Sequence, residues 1–135
     1  MSHKIEDIEG IGPAHGAKLR EAGVASCEAL LEAGRTPRGR TVLAERAGLS
    51  PSQILGWVNM ADLFRVKGIA SQRAELLERA GVDTVKELRN RNAVNLADKL
   101  ATVNAECRLC RTVPGVTTIQ RWIEDAKMLP PVVEY

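Results

Sequence analysis

One turn, used twice, constrains this chain more than any other feature. Ile8-Glu9-Gly10-Ile11-Gly12-Pro13-Ala14-His15-Gly16-Ala17-Lys18-Leu19 reads as the end of a short helix, a glycine bend and the opening of a second helix. Gly10 and Gly12 permit backbone angles that other residues resist. Ile11 between them is placed to pin the bend to the core. Pro13 suits the first helical position, where its missing N–H removes nothing. Gly16 is expected to let two helices approach closely, with Leu19 on the same face. Val66-Lys67-Gly68-Ile69-Ala70-Ser71-Gln72-Arg73-Ala74-Glu75-Leu76-Leu77 repeats the stretch at an offset of 58. The register holds beyond it, since Ala22-Gly23-Val24 returns as Ala80-Gly81-Val82 and Leu30 as Leu88. Seven of 26 positions are identical between 5–30 and 63–88, where chance would give about one or two, so the chain reads as a duplication.

The spacing of Gly10, Ile11, Gly12, Gly16 and Leu19 resembles the helix-hairpin-helix motif, and the whole chain is similar to an uncharacterised bacterial domain family with two such hairpins. That resemblance implies an all-α fold of two duplicated helix-hairpin-helix units related by a pseudo-twofold, a SAM-like bundle of about ten short helices without a sheet. It also implies sequence-independent DNA binding, in which backbone N–H groups of paired hairpins hold phosphates on the two strands. A helix N-terminus supplies such an anion site without charged side chains, because its first N–H groups are unpaired and the dipole lies behind them. The residues expected to carry it are Gly10, Ile11, Gly12, Ala14, His15 and Lys18 in the first copy. In the second they are Lys67, Gly68, Ala70, Ser71, Gln72 and Arg73. Arg20 is a further nearby cation. Ala70 replaces the second glycine, and a left-handed conformation there would strain it. The other reading is that the hairpins only pack, in a protein–protein adaptor or self-assembling scaffold.

Arg35-Thr36-Pro37-Arg38-Gly39-Arg40 is the densest basic stretch, read either as a backbone-contacting loop through Arg35, Arg38 and Arg40 or as a solvated turn. Net charge is only +2, which permits an anionic partner without demanding one. Cys107-Arg108-Leu109-Cys110 has a spacing seen in zinc and redox sites, but no second pair completes four ligands, and core packing is the competing reading. Trp57 and Trp122 fall in apolar helical stripes, as core residues, although indoles can also stack on bases. Two histidines, no serine nucleophile motif and no phosphate loop leave no catalytic set, so neither an enzyme, a cofactor nor a metal is expected. No apolar run approaches the roughly 20 residues that span a bilayer, and Met1-Ser2-His3-Lys4-Ile5-Glu6-Asp7 lacks the apolar segment of a signal peptide. A cytoplasmic location, no membrane contact and reduced thiols are the expectations.

Along the chain, 4–8 reads as a short lead-in helix and Pro13–Ala22 as a helix closed by Gly23. Ser26 caps Cys27–Ala33, closed by Gly34, and Thr36-Pro37 starts a helix running to Gly48. Ser50 with Gln53 forms a capping box for a long helix that joins the halves, 1–59 and 60–135. Ser71, Thr84 with Glu87, Asn95 or a neighbour, and Thr117 with Gln120 open the later helices. In the last one, Ile119, Trp122, Ile123, Ala126 and Met128 echo Ile54, Trp57, Val58, Ala61 and Leu63 at an offset of 65.

Overall fold

Side-chain caps set most of the helix starts in the computed structural model, which describes residues 3–135. Met1 and Ser2, which open the stretch read against a signal peptide, lie outside the described residues. After a 3-10 turn, Ile5–Asp7, come eight α-helices. They are α1 Pro13–Glu21, α2 Cys27–Ala33, α3 Pro37–Ala47, α4 Pro51–Leu63, α5 Ser71–Arg79, α6 Val85–Arg89, α7 Ala93–Cys107 and α8 Val116–Met128. Among the described residues there is no sheet, only an isolated antiparallel bridge between Lys4 and Ser26. Among the described residues, eight α-helices and one 3-10 helix stand where about ten short helices were expected.

The caps follow from short polar side chains accepting first-turn N–H groups. The Ala29 amide donates to Ser26 Oγ at 3.1 Å, Gly39 to Thr36 Oγ1 at 3.0 Å and Glu87 to Thr84 Oγ1 at 3.2 Å. Ser50 and Gln53 complete both halves of their box, at 3.2 and 3.1 Å. Glu87 does not return the bond to Thr84, because its carboxylate takes Arg91 at 2.8 Å instead. The start expected at Asn95 or a neighbour falls at Asn92, which caps α7 by accepting the Asn95 N–H at 3.0 Å. One expected cap moves. Gly115, not Thr117, is the N-cap of α8 and offers no side-chain oxygen; Gln120 reaches along the helix to Glu124 rather than back.

The chain divides into two units, one running to Asp62 and taking in Val132–Tyr135, the other Leu63–Pro131. In the first, α3 lies against α1 and α2, and the 3-10 turn against α1. Its interior holds Ile5, Ile8, Leu19, Leu30, Ile54 and Val58, all nearly or wholly inaccessible. In the second, α8 lies against α6 and α7, and α5 against α7. Leu76, Leu77, Leu88, Leu100, Ile119 and Trp122 fill that interior. Each such aliphatic side chain contributes about 1.5–3 kcal/mol by leaving water. Met128, expected inward, is 85% exposed, two residues past the last buried position, Ala126, and so on the opposite side of α8.

Two glycines are small for packing. Gly34 closes α2 at φ −105°, outside the left-handed region; a Cβ there would sit 2.5 Å from Val58 Cγ2, so the residue is small to admit α4. Gly16 has the Glu6 carboxylate 2.6 Å from where its Cβ would be, so its size lets α1 and the 3-10 turn approach.

Candidate nucleic-acid interface

The two turns have the same backbone construction. Gly10 and Gly68 both adopt φ +93°, a region that strains any residue carrying a Cβ. The Ile11 N–H donates to the Ile8 carbonyl at 3.1 Å, and the Ile69 N–H to that of Val66 at 3.1 Å. Ile11 and Ile69 are buried, as the pattern demanded. The following helices, α1 and α5, also end alike. Gly23 and Gly81 are left-handed at φ +89° and +93°, while the Val24 and Val82 amides donate back to Leu19 and Leu77 at 2.9 and 2.8 Å, a Schellman closure.

Beneath each turn sits an indole. A Cβ at Gly10 would lie 3.7 Å from Trp57 Nε1, and one at Gly68 only 3.2 Å from Trp122 Nε1. The residue one turn into each helix then covers that indole. His15 lies tilted over Trp57 with ring centroids 5.3 Å apart, and the Arg73 guanidinium stands 5.6 Å from the Trp122 ring. Both tryptophans are buried, so they support the turns and are not presented to a base.

The second position of each turn is extended: Gly12 at φ −83°, ψ −176° and Ala70 at φ −119°, ψ −167°. No left-handed conformation is required there, so the strain expected at Ala70 does not arise. A Cβ on Gly12 would meet nothing within 4 Å. Neither residue caps its helix with a side chain. Among the described residues, no intramolecular acceptor takes the N–H of Gly12, Ala14 or His15, or of Ala70, Ser71, Gln72 or Arg73. The first intrahelical bonds come from Gly16 to Gly12 and from Ala74 to Ala70, both at 2.9 Å. His15 Nδ1 is buried without a hydrogen-bond partner.

Charge around the turns is unequal. Glu9, Lys18 and Lys67 are exposed. Arg20 is held by the Glu6 carboxylate at 2.7 Å, and this keeps the Glu6 carboxyl below its ordinary value. Arg73 Nη1 donates to the Gly68 carbonyl at 3.0 Å, stitching the turn to its own helix.

The basic stretch is not a loop; from Pro37 onward it is the first turn of α3. Its arginines have separate fates. Arg40 is 5% exposed, donating to the Gly34 carbonyl at 2.8 Å and the Glu134 carbonyl at 2.7 Å. It fastens the C-terminal tail and is not available to a ligand. Arg35 pairs with Glu32 at 3.7 Å, and its carbonyl accepts the Glu134 N–H at 2.7 Å. Arg38 alone is exposed without an ion pair among the described residues.

Cys107 ends α7, and Arg79 Nη1 reaches its Sγ at 3.5 Å. Cys110 is tied through both backbone groups to the Asn104 amide, each bond 2.9 Å, and partial burial pushes its thiol up. Burial raises the Cys27 thiol to about 12; its S–H donates to the Lys4 carbonyl. No three His, Cys, Asp or Glu side chains converge as metal ligands among the described residues.

Residues 9–129 match the family described as a domain of unknown function, DUF4332. The chain belongs to that family. The DUF4332 span takes in both turns and both tryptophans, and leaves out Glu6 and the tail residues 130–135. No curated protein and no solved structure matches the chain. No helix among the described residues is long and apolar enough to cross a membrane.

Proposed function

We propose that this chain is a tandem helix-hairpin-helix protein that binds DNA without reading sequence, using the bare amides of its two turns as phosphate sites. It is an accessory, non-catalytic module in this reading. One contrast supports it. Five helices, α2, α3, α4, α6 and α7, have a first-turn N–H taken by a Ser, Thr or Asn side chain. The helices after the two matched turns, α1 and α5, begin at Gly12 and Ala70, which have no side-chain oxygen to give. An anion arriving there finds unpaired donors, the positive end of a helix dipole and, at Gly12, open space. α8 is also uncapped, but no positive-φ glycine turn precedes it.

Two to four phosphates contacted in this way give a log–log salt slope of roughly −2 to −4. The test installs the missing cap. Gly12→Asp and Ala70→Asp each supply a carboxylate that takes the free N–H groups and repels phosphate. Ala70→Asp is expected to stabilise the fold by about 0.5–1 kcal/mol and Gly12→Asp by a few tenths, so lost binding cannot be ascribed to unfolding. Fluorescence anisotropy with a duplex of arbitrary sequence should show about tenfold weaker binding for each variant and more for the pair. If neither duplex nor single strand binds at tens of micromolar protein in low salt, or the variants bind as the parent does, the reading is wrong.

A further inference from the structure

We infer a second binding surface, a cleft on α3 that takes an acidic amphipathic helix of a partner protein. The cleft, about 380 Å³, lies in the unit that begins the chain, between α3 and the segments that end α1 and α2. Its floor includes Val24, Val42 and Leu43, and Arg38 and Arg46 stand at its rim. Val42 is 44% exposed, an apolar side chain left to water between two cations. Neither arginine has an ion pair among the described residues, and no acidic residue lines the cleft.

The spacing decides the occupant. Arg38, Val42 and Arg46 are at i, i+4 and i+8, one ridge of α3, which places the two cations about 12 Å apart along the axis. A DNA backbone has only the oxygen-substituted deoxyribose, and no aliphatic side chain, to set against Val42 and Leu43. A helix bearing acid, aliphatic and acid residues at the same spacing has both, its aliphatic side chain entering the cleft between two carboxylate–guanidinium contacts. Crossing at about −50°, the angle at which i±4n ridges of two helices run alongside one another, two such ridges stay in register. This surface is separate from the turn amides, so it can stand or fall independently of the DNA reading.

The test uses two synthetic helical peptides of one composition. In the first, Glu, Leu and Glu fall at i, i+4 and i+8; in the second, the same residues are scrambled out of register. Amide resonances of Val24, Val42 and Leu43 in the full chain should shift with the first and not the second. Arg38→Glu with Arg46→Glu should weaken the acidic peptide about tenfold or more and confer binding to a version with Lys in place of Glu. Both sites are exposed, so the exchange leaves the core untouched. Equal shifts from the two peptides, or none from either, overturn the proposal. So does movement of the same resonances with duplex DNA alone.

Discussion

The first turn and the second reach the same backbone by different chemistry. At the equivalent positions 6, 16 and 20, the first has an ionic latch: the Glu6 carboxylate lies over Gly16 and is clamped by Arg20. The second has Phe64, Ala74 and Glu78 there, with Phe64 and Ala74 buried, so burial has replaced charge. Around the turn itself the trade runs the other way. Glu9 precedes Gly10, whereas Lys67 precedes Gly68, and His15 is replaced by Arg73. The conformation depends on one left-handed glycine over one indole, and the remaining positions are free to set polarity. If the turns hold phosphate as proposed, the second turn, despite lacking its second glycine, is on this comparison the stronger of the two sites.

Removing the indoles should separate the copies most. Trp122 is 2% exposed and Trp57 9%, so Trp122→Ala is expected to destabilise by about 4–5 kcal/mol and Trp57→Ala by about 3–4, read from urea midpoints. Equal losses would mean the two supports are interchangeable. Next come the left-handed glycines. Both acquire strain as alanine, but Gly68→Ala also presses a Cβ to 3.2 Å from Trp122 Nε1, against 3.7 Å at Gly10. The expected losses are about 2–3 and about 1–2 kcal/mol, and a reversed order in chemical denaturation would show that the indole yields.

The smallest effect is a difference of sign. Hydrogen bonds from Arg20 hold the Glu6 carboxyl below its ordinary value. Its contribution is therefore full above the unfolded carboxylate pKa and is lost as pH falls through the lowered one. Glu78, at the place of Arg20, is held above its ordinary value by partial burial and then by Asp83 and Glu75. Its contribution is present below the unfolded pKa and is lost as pH rises through the raised one. Arg20→Gln should flatten the acid limb of a stability–pH curve, and Glu78→Gln should raise stability at neutral pH. Parallel changes from both variants would contradict the assignment.

Much of this architecture is legible in local chemistry. Ser26, Thr36, Ser50 and Thr84 cap where they stand because a cap needs only its own three following residues. Asn92 and Gly115 are not legible in the same way. Several polar residues crowd each of those helix starts, and tertiary placement decides which one ends up in the extended conformation. The Trp57–Trp122 correspondence follows from spacing, but the indole edge under the glycine does not, since the helix that carries it is far along the chain. Arg40 is the clearest failure. A stretch with three arginines looks solvated, and only Glu134, 94 positions away, reveals that the last residue of α3's first turn is interior. The Arg38, Val42, Arg46 ridge was readable as a period of four and is obscured by that same run.

The Arg40 clasp has a consequence for synthesis. The unit that emerges first from the ribosome is closed by residues 132–135, which emerge after the whole of Leu63–Pro131. At roughly 5–20 residues per second, those intervening residues delay closure by about 3–14 s. Throughout that interval the Arg40 guanidinium has one of its two carbonyl partners and Asn59 lacks the Tyr135 hydroxyl. The earliest-made half is therefore the last to be finished, and a chaperone or nascent-chain protease meets it while its seam is still open.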